Sequence, residues 1–319
     1  MAALTLGFLM DPLESVRVDH DSTFSLMLEA CRRGHQVRYF EQPWLRFGGT
    51  RAEARMRTVN VRREPGRHFD VLDEQVRPIS SLDVLFMRKD PPVDADFLQA
   101  TQLVELCGGE RAPVFINNPT GLRDANEKLF GLHFPELMPE TLIARDMPLL
   151  ADFVARHEQG TILKPVEGFG GQGIVFLKPG DRNTRSLLEV MTLGGRKAIV
   201  AQAYLPESRQ GDKRIILVDG EPVGAVLRVP SQDDHRGNMA AGGKAVKTEL
   251  TPRERDICAR LAPVLRERGL YLVGIDVIGD WLTEVNVTSP TGLVEVDQLD
   301  GVNTAAKVLE LAERLAGGR

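Results

Sequence analysis

The stretch Leu163–Leu177, LKPVEGFGGQGIVFL, sets Lys164 ahead of Gly168, Gly170, Gly171 and Gly173. Where Cβ atoms are missing, backbone N–H groups can approach phosphate oxygens closely, and Lys164 adds a cation at the root of the loop. Gly168, Gly170 and Gly173 also match G-x-G-x-x-G, but a dinucleotide fingerprint needs a helix directly after the last glycine. Ile174–Leu177 reads instead as a strand, ended by Lys178-Pro179-Gly180. No Lys-Ser or Lys-Thr pair follows Gly173, which excludes a Walker loop. Two readings stay open: a hinged phosphate cradle between antiparallel strands, or a plain structural hairpin.

More than a hundred residues later, YLVGIDVIGDWLTEVNVTSP (271–290) reads as two strands around Gly279-Asp280. Alternation puts Gly274, Asp276 and Ile278 on one face of the first, and Leu282, Glu284 and Asn286 on one face of the second. A three-residue turn, Gly279-Asp280-Trp281, is expected, because it opposes Asp276 to Glu284. Like charges opposed across strands destabilise a sheet unless something neutralises them. Two carboxylates and the Asn286 amide oxygen form a hard oxygen set suited to Mg²⁺, which also accepts water and nucleotide phosphates. The competing reading is an exposed hairpin with solvated charges.

The elements that must hold these residues follow from pattern. LTLGFLM, a helix over Ser22–Arg33 closed by Gly34, and QVRYFE give strand, helix, strand; LDVLFM, a helix over Asp94–Cys107, and PVFIN repeat it. That alternation predicts a parallel sheet covered by helices. Arg46–Arg63, basic and carrying Gly48-Gly49, reads as a hairpin excursion. After Pro119, GLRDANEKLFG reads as a short helix or helical turn ending at Gly131. Thr141 to Val200 mixes short strands and two short helices, a small α+β unit. Then come AQAYL, KRIILV, the hairpin signal Asp219-Gly220 and PVGAVLRV. A polar loop (231–244), a helix over Pro252–Arg268, two strands and a C-terminal helix complete the chain. The expected units are 1–124, 125–200 and 201–319.

Totals narrow the function. The 319 residues carry a formal net charge of −5 with both signs interspersed, so no strong field for nucleic acid or an acidic membrane exists. Small substrates are expected. Cys31, Cys107 and Cys258 lack ligand or C-x-x-C spacing, and the six histidines form no metal set. The apolar run Leu4–Met10 stops at Asp11-Pro12, too short for a secretion signal, and no segment approaches a membrane span. A cytoplasmic location follows by default.

Lys128, Lys164, the glycine loop, AQAYL, GDKR and IDVIGDWLTEVN together resemble the ATP-grasp ligases. FLMDPLE, DSTFSLMLEA, RTVNV, MRKDPP, RDANEKLF and NVTSPT make the chain most similar to the bacterial glutathione synthetase family. The resemblance covers nearly the whole chain. It implies an α/β protein in which an N-terminal parallel α/β substrate domain precedes a two-subdomain ATP-grasp fold with antiparallel sheets. It implies an ATP-dependent C–N ligase: γ-glutamylcysteine takes the γ-phosphoryl group of ATP, and glycine displaces phosphate to give glutathione.

By the same resemblance Lys128 and Lys164 would contact the nucleotide, and Gly168, Gly170, Gly171 and Gly173 would cover its phosphates. Gln202, Tyr204 and Leu205 would line the adenine, and Asp212 would lie near the ribose. Asp276, Glu284 and Asn286 would hold Mg²⁺ or Mn²⁺. Arg214, Arg228 and Arg236 would neutralise charge during transfer. Asp11, Ser22, Arg88, Asn238 and Ser289 are candidates for the peptide and glycine ends. A homo-oligomer, dimer or tetramer, is implied, with no nucleic-acid or membrane partner. One departure bears on the acceptor: after NVTSPT the family continues with a cysteine and then a basic residue, whereas this chain has Gly292-Leu293-Val294-Glu295. A ligase with another acceptor, or a non-catalytic nucleotide binder, are the alternatives.

Overall fold

The computed structural model describes residues 3–230 and 243–318. Its first third holds strands β1 (Thr5–Met10), β2 (Gln36–Phe40), β3 (Leu45–Gly48), β4 (Arg51–Val61), β5 (Phe69–Pro78), β6 (Val84–Arg88) and β7 (Val114–Ile116), with helices α1 (Ser22–Arg32) and α2 (Ala95–Val104). The seven strands form one sheet in the order β3-β4-β2-β1-β6-β7, with β5 paired to β4. The predicted parallel sheet is therefore only half of it. Pairs β2–β1–β6–β7 are parallel, whereas β3, β4 and β5 join antiparallel. The basic excursion is β3–β4. β5 left no trace in the pattern because most of its residues are exposed on both faces, so polarity does not alternate.

Asp21 starts α1 by accepting a hydrogen bond from the Phe24 N–H at 2.7 Å, and Gly34, at φ +79°, ends it. Asp94 caps α2 in the same way. A short helix α3 (Pro119–Asp124) follows, and Lys128 lies in the turn after it rather than on the helix itself. Asn126 explains this: its side-chain oxygen accepts from the Lys128 and Leu129 N–H groups, a local turn that competes with helix.

The small unit comprises β8 (Thr141–Ala144), α4 (Met147–Arg156), β9 (Thr161–Pro165), β10 (Val175–Leu177), α5 (Thr184–Met191) and β11 (Ile199–Ala203). Its sheet runs β10-β9-β11-β8, with a separate core of Leu150, Phe153, Leu163, Leu188 and Ala201. Because β11 belongs to this sheet, a division at 200/201 would cut a strand. The last sheet, β14-β13-β12-β15-β16, contains β12 (Asp212–Val218), β13 (Glu221–Val229), β14 (Lys244–Lys247), β15 (Leu272–Ile278) and β16 (Trp281–Asn286). Asp219 and Gly220 both take positive φ at the β12–β13 turn, as an Asp-Gly hairpin requires. Helix α6 (Pro252–Glu267) opens with a Thr251/Glu254 capping box and covers one face.

Helices α7 (Leu293–Asp300) and α8 (Thr304–Gly317) return the chain to its beginning. Leu293, Val308, Leu309 and Ala312 join Leu6, Phe8, Phe24 and Met27 in one buried cluster. Charge fixes the same seam: the Glu29 carboxylate accepts from Arg32, Arg33 and Asn303, while Arg33 also donates to Glu313. The bonds from Arg32, helped by Arg33 and Asn303 against burial, hold Glu29 at a pKa of about 2. A carboxyl depressed in the folded state stabilises it above the unfolded pKa, and that support is lost as the pH falls toward the folded value. Discounted for the exposure of Arg32, Glu29→Gln is expected to cost about 1–3 kcal/mol near neutral pH. In thermal melts run down the acid range, the difference between variant and wild type should shrink below the ordinary glutamate pKa.

Candidate active site between three sheets

The hairpin β15–β16 is closed by two residues, Gly279-Asp280, with Ile278 opposite Trp281, not by the three expected. Asp276 still faces Glu284, because the register shifts by one residue between Asp276 and Val277, leaving Thr283 as the extra residue of a bulge. Thr283 Oγ1 donates to the Asp276 carbonyl at 3.0 Å and fixes that bulge. Gly274 opposes Asn286, so Glu284 and Asn286 stand on one side beside Asp276.

Asp276 is not a free ligand. Arg214 Nε and Nη2 donate to its two oxygens at 2.5 and 2.9 Å, and Arg228 Nη2 lies 3.0 Å from Oδ1. Arg228 also pairs with Asp212. Register explains the convergence: Asp212 faces Arg228 across β12–β13, and Arg214 faces Asp276 across β12–β15. Burial pushes Asp276 up, but the two guanidinium groups outweigh it and hold its carboxyl well below the usual range. For Asp212, burial, with Asp276 reinforcing it, wins over the pull of Arg228 and raises the pKa.

Asn286 Nδ2 donates to Asp276 Oδ2 at 3.2 Å, which leaves its amide oxygen as an acceptor. No group of three or more His, Cys, Asp or Glu gathers among the described residues. The set is two carboxylates and an amide, hard oxygen donors of the kind that suit a divalent cation of the Mg²⁺ type, with both Asp276 oxygens already shared with arginine.

The small sheet brings the facing cations. Lys164, buried in β9, places Nζ 3.6 Å from Glu284 Oε1. Burial lowers its pKa, and Lys128 adds repulsion. Lys128, also buried, donates from Nζ to the Gly168 carbonyl. The glycine loop joins β9 to β10, which pair antiparallel. It is thus a hairpin connection, not a strand-to-helix turn. Gly170, Gly171 and Gly173 all have φ between +61° and +75°, and a Cβ on Gly173 would lie 2.9 Å from Pro165.

Gln202, Tyr204 and Leu205 lie where the chain leaves the small sheet. Gln202 Nε2 donates to Thr141 Oγ1, and the Tyr204 ring packs on Phe176 at 4.7 Å. The Ala203 and Tyr204 N–H groups donate to the Glu140 and Gly160 carbonyls.

Arg88 and Asp11 sit apart from this face, at the β1 and β6 ends, around a cavity of about 250 Å³. Arg88 is buried; it donates to Thr23 Oγ1 and the Pro290 carbonyl, both at 2.9 Å. Desolvation lowers its pKa. Asp11 accepts from the Asp90 N–H and pairs with Lys89. Ser22 does not line this cavity; its Oγ accepts from the Leu293 N–H at the start of α7. Ser289 lies in the segment after β16, and Arg236 and Asn238 fall outside the described residues.

Asp21, Thr23, His20 and Thr291 line the cavity and were missed, since isolated polar residues from distant segments carry no spacing signal. The segment after β16 joins the two places. Arg88 takes its Pro290 carbonyl, and Arg214 Nη1 its Thr291 carbonyl at 3.1 Å. Gly292 packs on Arg214, where a Cβ would meet Cγ at 3.3 Å, so the departure at 292–295 lies against the arginine network.

The family model of the prokaryotic glutathione synthetase N-terminal domain matches residues 4–123, and that of the prokaryotic glutathione synthetase ATP-grasp domain matches residues 127–301. The chain is 49% identical over 301 residues to a glutathione synthetase of Gloeobacter violaceus, covering 92% of each. It is 46% identical over 312 residues to that of Brucella melitensis, covering 98% of this chain and 99% of the relative. Among solved structures, D-cycloserine synthetase superposes with a TM-score of 0.65 at 18% identity, over 98% of this chain and 99% of that one, a likeness of fold.

Proposed function

Because the chain belongs to the prokaryotic glutathione synthetase family, we propose that the face shared by β9, β12, β15 and β16 binds the phosphates of ATP, and that the Arg88 cavity takes the dipeptide. The protein is an ATP-dependent carboxylate–amine ligase that forms glutathione from γ-glutamylcysteine and glycine. The observation that carries the site assignment is the meeting of Lys164 with Glu284 between two sheets, beside the Arg214–Asp276–Arg228 cluster.

A carboxylate is a poor acyl donor. Its oxygen attacks the γ-phosphorus, ADP leaves, and the glycine amine then attacks the acyl carbon, loses a proton and expels phosphate. The enzyme has mainly to align these groups and balance charge. Lys164 and Lys128 meet the phosphates, while Arg214 and Arg228 keep the anionic face tolerable. Glu284, Asn286 and Asp276 are the residues that would hold a divalent ion, Mg²⁺ or Mn²⁺, which would supply neutralisation of phosphate charge. The glycine hairpin closes over the nucleotide and keeps water from the acyl phosphate. Tyr204, Gln202 and Leu205 border the adenine; among the described residues the Leu205 N–H has no partner, which suits it to the base edge.

Arg88 binds a substrate carboxylate, with Asp11 at the cavity mouth. The units run to residue 124, from 125 to the end of β11, and onward from there. No helix among the described residues is long and apolar enough to cross a membrane, and the free Cys31, Cys107 and Cys258 suit a reducing cytoplasm. The subunits assemble as a homo-oligomer.

Phosphate release from ATP should require γ-glutamylcysteine and be fastest with glycine among small amines. Release with another amine in place of glycine would move the acceptor, and no turnover with any γ-glutamyl dipeptide would remove the reading altogether.

A further inference from the structure

Strand β16 is the last of its sheet and, among the described strands, pairs with β15 alone. One residue covers the outer edge at its C-terminal end. The Glu127 backbone carbonyl accepts from the Val285 N–H at 3.0 Å, and Glu127 Oε1 accepts from the Val287 N–H at 3.0 Å. Those two N–H groups flank Asn286 and face the outer edge, so the main chain and side chain of Glu127 together do what a neighbouring strand's carbonyls would do. Oε1 also takes the Thr288 N–H at 3.1 Å and Thr288 Oγ1 at 2.8 Å. Four hydrogen bonds from one residue thus span Val285 to Thr288.

The turn that presents Glu127 is itself fixed by Asn126, which accepts from the Lys128 and Leu129 N–H groups. The next residue is Lys128, whose Nζ donates to the Gly168 carbonyl of the glycine hairpin. The dipeptide Glu127-Lys128 therefore bridges the strand carrying Glu284 and Asn286 to the lid.

We propose that Glu127 is a positioning residue: it sets Asn286 and the segment after it for the cation that the nucleotide brings. This rests on the metal and nucleotide reading above, and goes beyond it by naming a residue that touches neither. The carboxylate acts through acceptor geometry, so its charge is dispensable and its length is not. A partner in this position typically contributes about 10- to 100-fold in metal affinity.

The test is binding of a non-hydrolysable ATP analogue, by calorimetry, with and without Mg²⁺. Glu127→Ala should weaken binding in Mg²⁺ about 10-fold and leave metal-free binding within about two-fold. Glu127→Gln, which keeps the acceptor oxygen, should stay close to wild type. Thr288→Val, which removes one donor at constant shape, should shift the Mg²⁺-dependent value in the same direction by a smaller factor and serves if Glu127→Ala fails to fold. Equal weakening with and without metal, or Glu127→Gln as damaged as Glu127→Ala, would overturn the proposal. If wild type itself gains nothing from Mg²⁺, the metal reading fails instead.

Discussion

Glu284→Gln is expected to lower the rate of phosphate release by about 10²- to 10³-fold, the size of effect seen when one preorganised electrostatic contact is removed from an active site, while the thermal midpoint shifts by no more than a few degrees. The two outcomes separate because Glu284 is the carboxylate with least structural work. Its side chain is 23% exposed and its ion pair with Lys164 is long, at 3.6 Å. Gln keeps the volume and an oxygen, but a neutral amide binds a divalent ion far less well than a carboxylate does. Asp276 would be a poorer probe. Its loss strands Arg214 and Arg228 in a buried face, and breaking such a network costs about 3–5 kcal/mol by itself. An active Glu284→Gln enzyme would end the metal assignment; an unfolded one would show that the face needs this charge for stability.

The hairpin shows how sequence pattern can reach the correct pairing through incorrect geometry. Period-two alternation aligned Asp276 with Glu284, but a regular two-residue turn would have opposed Asp276 to Thr283. The bulge that repairs this depends on Thr283 bonding the Asp276 carbonyl, an interaction with no composition signature. The glycine loop was legible for the opposite reason: IVFL after Gly173 left no room for a helix, and β10 is where that pattern puts it. β5 was invisible because it buries neither face.

Arg88 could be picked out from MRKDPP, but that it would be held by Pro290, some two hundred residues away, could not. Ser22 shows the converse. It is a buried hydroxyl beside candidate site residues whose oxygen also accepts from the first residue of α7. Distant pairings of this kind decide which polar residues remain available to a ligand. They are set by how sheets pack, not by local spacing.

Lys164→Met should separate function from stability in the other direction. Lys164 is buried, its pKa is lowered chiefly by desolvation, and Lys128 repels it, while Glu284 at 3.6 Å gives incomplete compensation. A cation held under these conditions is costly in the ligand-free protein, and a linear apolar chain of similar length removes that cost. The variant is therefore expected to match or exceed the wild-type unfolding midpoint, by about 1 kcal/mol in the favourable case, while losing about 10²-fold or more in kcat/KM for ATP. In the double variant with Glu284→Gln the rate losses should fall well short of multiplying, because both side chains act on the same phosphate charge. Thermal melts of the ligand-free proteins beside phosphate-release kinetics check both halves. A marked drop in midpoint would mean that Lys164 is there to hold Glu284 and the two sheets together, and the cation would then have to be sought at Lys128.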